Sequence, residues 1–173
     1  LNSCGIKGLV IDLRSNGGGV MNAAIESARL FLDSGTIVTV VSSTEHTRYC
    51  AGGTGKAADM PLALLVDKNT ASAAEIFTAA LRDNRRAVVI GDKTFGKARI
   101  QTIFPLQNNS LGACITTAGY LPPGNEDFNQ IGITPDICIN DAAIDTEKLF
   151  CVTELICDDN ASLQAALIAL ANR

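Results

Sequence analysis

Leu62-Ala63-Leu64-Leu65-Val66 runs through Asp67-Lys68-Asn69-Thr70 into Ala71-Ser72-Ala73-Ala74-Glu75-Ile76-Phe77-Thr78-Ala79-Ala80-Leu81, and Ala87-Val88-Val89-Ile90 follows. The first run is continuously apolar and bounded by turn formers, which reads as a strand. The spacing predicts a helix from Ser72 to about Leu81, and the β-branched run after it reads as the next strand. Strand, helix and strand in this order point to an α/β layer fold with a largely parallel sheet.

The same alternation extends outward. Gly8-Leu9-Val10-Ile11-Asp12-Leu13 reads as a buried strand ending in the turn Arg14-Ser15-Asn16-Gly17-Gly18-Gly19. Ala23, Ala24, Ala28, Leu30, Phe31 and Leu32 recur at helical spacing until Asp33-Ser34-Gly35. Ile37 to Val41 makes another strand, and the polar residues 42–59 read as a surface loop or small excursion. Later, Ile100–Phe104 and Ala113–Thr117 form a predicted hairpin around Asn108-Asn109-Ser110. Tyr120 begins an irregular stretch, and a last helix is expected from about Ala161.

Composition narrows the function classes. With 173 residues, 47% hydrophobic and 18% charged, the chain can bury a core in one domain of ordinary size. A net charge of −4 argues against a nucleic-acid partner. The basic cluster Arg82, Arg85 and Arg86 ends a predicted helix, where cations meet the macrodipole favourably. No apolar run is long enough to span a bilayer. Among six cysteines no two form a C-x-x-C pair, so a zinc site is not expected. Cys114 and Cys138 read as small core residues, and Cys151 with Cys157 is the pair to test for a bridge.

Two residues carry candidate chemistry. Ser72 opens a helix, and Lys97 follows 25 residues later in the turn Thr94-Phe95-Gly96-Lys97. With a single histidine, His46, in a polar stretch, a nucleophilic serine would need another base. Ser72-Ala73-Ala74-Glu75 also fits a capping box, so Ser72 reads either as a cap or as a nucleophile. In the second reading the Ala73 amide is the first oxyanion donor, and the glycines 17–19 could bring a second. Lys97 reads as an exposed loop residue or as a base, the latter requiring desolvation to lower its pKa. Gln101 could hydrogen-bond the lysine and hold it towards Ser72. Two decoys fail on spacing: Asn16-Gly17-Gly18-Gly19-Val20 lacks G-x-G-x-x-G, and the phosphate-loop pattern at Gly55-Lys56 puts Cys50 where glycine is required.

Four segments in order, Gly8–Gly19, Thr70–Ile76, Gly91–Gln101 and Gly132-Ile133-Thr134-Pro135-Asp136, resemble the motifs of the carboxy-terminal processing (tail-specific) proteases. Gly17 stands where that family has proline, and Ala98-Arg99 where it has small residues. The resemblance implies a ClpP/crotonase-like α/β core with a mostly parallel sheet and flanking helices. It implies Ser72 as nucleophile, Lys97 as general base, Gln101 as the residue orienting the lysine, and the amides of Gly18 and Ala73 as the oxyanion hole. The implied reaction is cleavage of protein or peptide substrates with apolar carboxyl termini, near those termini and through an acyl-enzyme. No metal or organic cofactor is implied, and nothing in the sequence sets an oligomeric state. Residues 1–173 read as a single peptidase core domain, truncated at the amino terminus and lacking the PDZ domain usual in the family. The family's usual place is extracytoplasmic, in the bacterial periplasm or the thylakoid lumen. The alternative on the same fold is a catalytically silent or ligand-binding module like the interphotoreceptor retinoid-binding repeats.

Overall fold

The computed structural model describes residues 8–53, 55–106, 111–139 and Ala166. In chain order the elements are β1 (Leu9–Asp12), α1 (Met21–Arg29), β2 (Thr36–Ser42), β3 (His46–Cys50) and β4 (Leu62–Val66). They continue with α2 (Ala73–Asp83), β5 (Val88–Gly91), β6 (Arg99–Pro105), β7 (Gly112–Leu121) and β8 (Ile137–Cys138). One four-stranded sheet, ordered β1-β4-β5-β8, is parallel throughout. The second, ordered β3-β2-β7-β6, is antiparallel throughout.

The continuous apolar run of β4 is explained by burial on both faces. Successive side chains alternate across a strand, so Leu62, Leu64 and Val66 join one cluster while Ala63 and Leu65 join another. The first cluster takes in Ile25 and Ala28 of α1, Ile76, Phe77 and Ala80 of α2, and Ile37 and Val38 of β2. Phe31 and Phe77 meet edge to face with centroids 6.1 Å apart, locking the end of α1 onto α2. The opposite cluster holds Ile90 of β5 and Ala166. Ala166 is helical and buried; the rest of the helix expected near it lies outside the described residues, as do Cys151 and Cys157.

The parallel sheet and flanking helices follow the sequence expectation, and the structure adds the antiparallel sheet. Residues 46–50, expected within a loop, form β3: a polar strand at a sheet edge alternates half-buried and exposed positions, so it carries no apolar signal. β7 runs on through Tyr120 and Leu121, which were expected to be irregular. Cys114 and Cys138 are exposed rather than core residues. Cys114 lies on the β6–β7 ribbon, whose Ile103 and Ile115 are also exposed, and Cys138 ends the edge strand β8. The basic cluster is structural, since the Arg86 guanidinium donates to the carbonyls of Phe31, Ala57 and Met60, and Arg82 donates to that of Thr134.

Candidate active site

Ser72 sits at the N-cap of α2 in a left-handed conformation, with φ 56° and ψ −119°. A non-glycine residue pays for such a backbone in strain, so its surroundings must hold it there. They do so through two loops. The Asp67 carboxylate accepts the Ser15 and Asn69 amides at 2.9 and 3.0 Å, and Thr70 Oγ1 donates to the Leu13 carbonyl at 2.8 Å. Burial pushes the Asp67 pKa up, but these amide bonds and the hydroxyls of Ser15 and Thr70 outweigh it and hold the carboxyl below its ordinary value. The Ala71 amide then donates to the Asn16 carbonyl at 2.9 Å, zipping the β1–α1 loop to the start of α2.

At that seam the glycine turn has a steric purpose. A Cβ on Gly18 would lie 2.6 Å from the Ala71 carbonyl oxygen and 2.8 Å from the Ala73 amide nitrogen, and its φ is +94°. Only glycine permits this approach, which sets the backbones of Gly18 and Ala73 side by side. The Gly18 N–H donates to Asn16 Oδ1 at 2.9 Å in this structure. The site's second expected donor is thus engaged within its own turn.

The capping box has its reciprocal geometry, with Glu75 accepting the Ser72 N–H at 2.8 Å, but the Glu75 amide bonds the Ser72 carbonyl at 2.8 Å. Glu75 itself does far more than cap. Its carboxylate is fully buried and accepts Thr94 Oγ1 at 2.5 Å, the Gly96 amide at 2.7 Å and the Lys97 amide at 2.9 Å as well. Four donors from two segments satisfy a buried anion without a cation. The sequence showed Glu75 only as a cap partner; its missed role is to dock the Lys97 turn onto α2.

Behind that turn lies the last of the four motifs. Ile133 N–H donates to Thr94 Oγ1 at 2.7 Å, and the Gln130 amide to the Gly96 carbonyl at 2.7 Å. Gly132, at φ +78°, leaves room for the Thr94 carbonyl, which a Cβ would meet at 2.1 Å.

Ser72, Ala73, Lys97, Gln101 and Tyr120 line one open cleft of about 290 Å³. Lys97 is exposed and lines that open cleft from the turn before β6, as the first of its two readings has it. Gln101, on β6, is exposed too, and no hydrogen bond joins it to Lys97 among the described residues. Next to the Gly18 and Ala73 backbones a second cavity of about 380 Å³ is walled by Leu13, Val20, Ala24, Leu30, Phe31 and Phe77. No group of acidic, cysteine and histidine side chains able to hold a metal ion is found among the described residues.

Fold and cleft together define an α/β core in which a serine at a helix N-cap and a lysine from the turn before β6 line one opening. Residues 1–139 match peptidase family S41, and the chain belongs to that family. It is 38% identical over 148 residues to the chloroplastic C-terminal processing peptidase of Tetradesmus obliquus, covering 85% of this chain and 32% of that protein. With the carboxyl-terminal-processing protease of Synechocystis it shares 39% identity over 168 residues, 96% of this chain and 38% of the relative. The solved photosystem II D1 C-terminal processing protease superposes with a TM-score of 0.75 at 38% identity, over 80% of this chain and 36% of that one. The chain therefore spans roughly a third of the length of the relatives it matches.

Proposed function

We propose that this chain is the peptidase core of a serine endopeptidase that cleaves protein substrates near their carboxyl termini. Ser72 Oγ attacks the scissile carbonyl carbon and passes its proton to Lys97 Nζ. The oxyanion accepts hydrogen bonds from the Ala73 and Gly18 amides, the Asn16 side chain giving up Gly18 as the substrate enters. The C–N bond then breaks, the leaving amine takes the proton from Lys97, and water hydrolyses the acyl-enzyme by the reverse route. An ammonium cannot accept a proton, so the substrate chain itself completes the desolvation of Lys97 by covering the cleft. Gln101 orients the lysine once that cover is in place.

The single observation that carries this reading is the shared cleft of Ser72 and Lys97, with the Ala73 amide beside it. The apolar cavity adjoining Gly18 and Ala73 supports substrates with apolar tails, since it offers such a side chain a dry seat. The chloroplastic relatives support a place outside the cytoplasm, in a periplasm or a thylakoid lumen.

The test is cleavage of an unstructured protein with an apolar carboxyl terminus by the parent and by Ser72→Ala. Loss of cleavage in the folded variant supports the dyad. Equal cleavage by both makes Ser72 a cap, and silence of both folded proteins leaves a protease core that needs further segments or the ligand-binding reading.

A further inference from the structure

We propose that Tyr120 is a positioning residue for the Ser72–Lys97 pair, its hydroxyl holding the backbone of the lysine in the cleft that the serine also lines; this rests on the peptidase reading above. The Tyr120 side chain lies at the floor of the cleft that Ser72 and Lys97 line, and the residue is only 2% exposed. Its phenol donates to the Lys97 carbonyl. That single proton is then spent on the lysine's backbone, and Ser72 lies near enough to lower the phenol's pKa. Lys97 is thus held at both of its backbone groups, by Glu75 at the N–H and by Tyr120 at the carbonyl.

The remainder of the residue fixes where this hydroxyl points. The ring packs against Phe128 with centroids 5.7 Å apart, and the Tyr120 amide donates to the Ala98 carbonyl at 3.1 Å. Burial pushes the phenol pKa up to about 12, against a lowering by Ser72. The group therefore stays protonated at neutral pH and serves as a fixed donor, not as a base. Packing alone would be met by phenylalanine; the hydroxyl is what reaches the backbone of Lys97.

The test compares Tyr120→Phe, Ser72→Ala and the parent as whole proteins. Two rates are read: peptide cleavage, and covalent labelling of Ser72 by a small fluorophosphonate, which needs no substrate subsites. For Tyr120→Phe the expected result is a fall of about ten-fold or more in kcat and in labelling rate, with KM within about two-fold and the thermal midpoint held by the retained ring. Incorporation of 3-fluorotyrosine at position 120 keeps the hydroxyl and is expected to restore both rates, a rescue that a purely structural role would not need. Full kcat and labelling in Tyr120→Phe beside an inert Ser72→Ala overturns this inference alone. Cleavage by Ser72→Ala overturns the dyad, and this inference with it.

Discussion

The carboxylate of Glu75 accepts the backbone N–H of Lys97 at 2.9 Å, so a residue one turn into the serine's helix fixes where the lysine's strand begins. Ser72 caps α2 and Lys97 lies two residues before β6, and Glu75 joins the two segments beside the bond from the Phe95 amide to the Thr70 carbonyl.

Replacing that link should be costly. In Glu75→Gln one acceptor oxygen becomes an NH₂ donor facing N–H and O–H groups that are already donors. At about 1–3 kcal/mol for each buried donor left unpaired, we expect a loss of about 2–4 kcal/mol and of activity together. Denaturant midpoints and cleavage rates check this; a stable, active Glu75→Gln protein would contradict the docking role.

Lys97→Arg separates chemistry from folding. The side chain is exposed, so stability should stay within about 0.5 kcal/mol. Arginine cannot shed its proton at working pH, so cleavage should vanish. Retained cleavage would exclude Lys97 as the base.

Gly18→Ala probes the seam between the two donor amides. The left-handed φ and the 2.6 Å approach to the Ala71 carbonyl oxygen predict a loss of more than about 1 kcal/mol. The two amides would also be pushed apart, so activity should fall further than stability does. Unchanged activity in this variant would mean that the seam has no part in catalysis.

Part of the acid sensitivity should come from Asp67. Its folded pKa is depressed, so its contribution is present above its ordinary value of 3.8 and is lost as the pH falls through the lower folded value. Asp67→Asn should lower stability at neutral pH and flatten this acid limb. Parallel stability curves for the two proteins would show that Asp67 contributes nothing there.

The sequence revealed most where burial was two-sided. Leu62–Val66 reads as a strand because both of its faces are covered, and Gly18 stood out because its turn is glycine-rich. His46–Cys50 stayed hidden because an edge strand of polar residues has no apolar period. Glu75 was visible locally as a capping partner, but its bonds to Thr94, Gly96 and Lys97 are long-range, and no local pattern encodes them. Tyr120 was masked by the Pro122-Pro123-Gly124 run just after it, although the alternation of β7 continues to Leu121.

The parallel sheet also dictates when the site comes into being. Leu9 pairs with Leu62 and Ile90 with Ile137, and the Ser15–Asp67 bond closes a span of 52 residues. Contacts of such long span form slowly, because the chain must surrender loop entropy before the pairing rewards it. The cleft is therefore among the last features to mature during synthesis and refolding. Its lining runs from Gly19 to Tyr120, so a half-made copy has no blade.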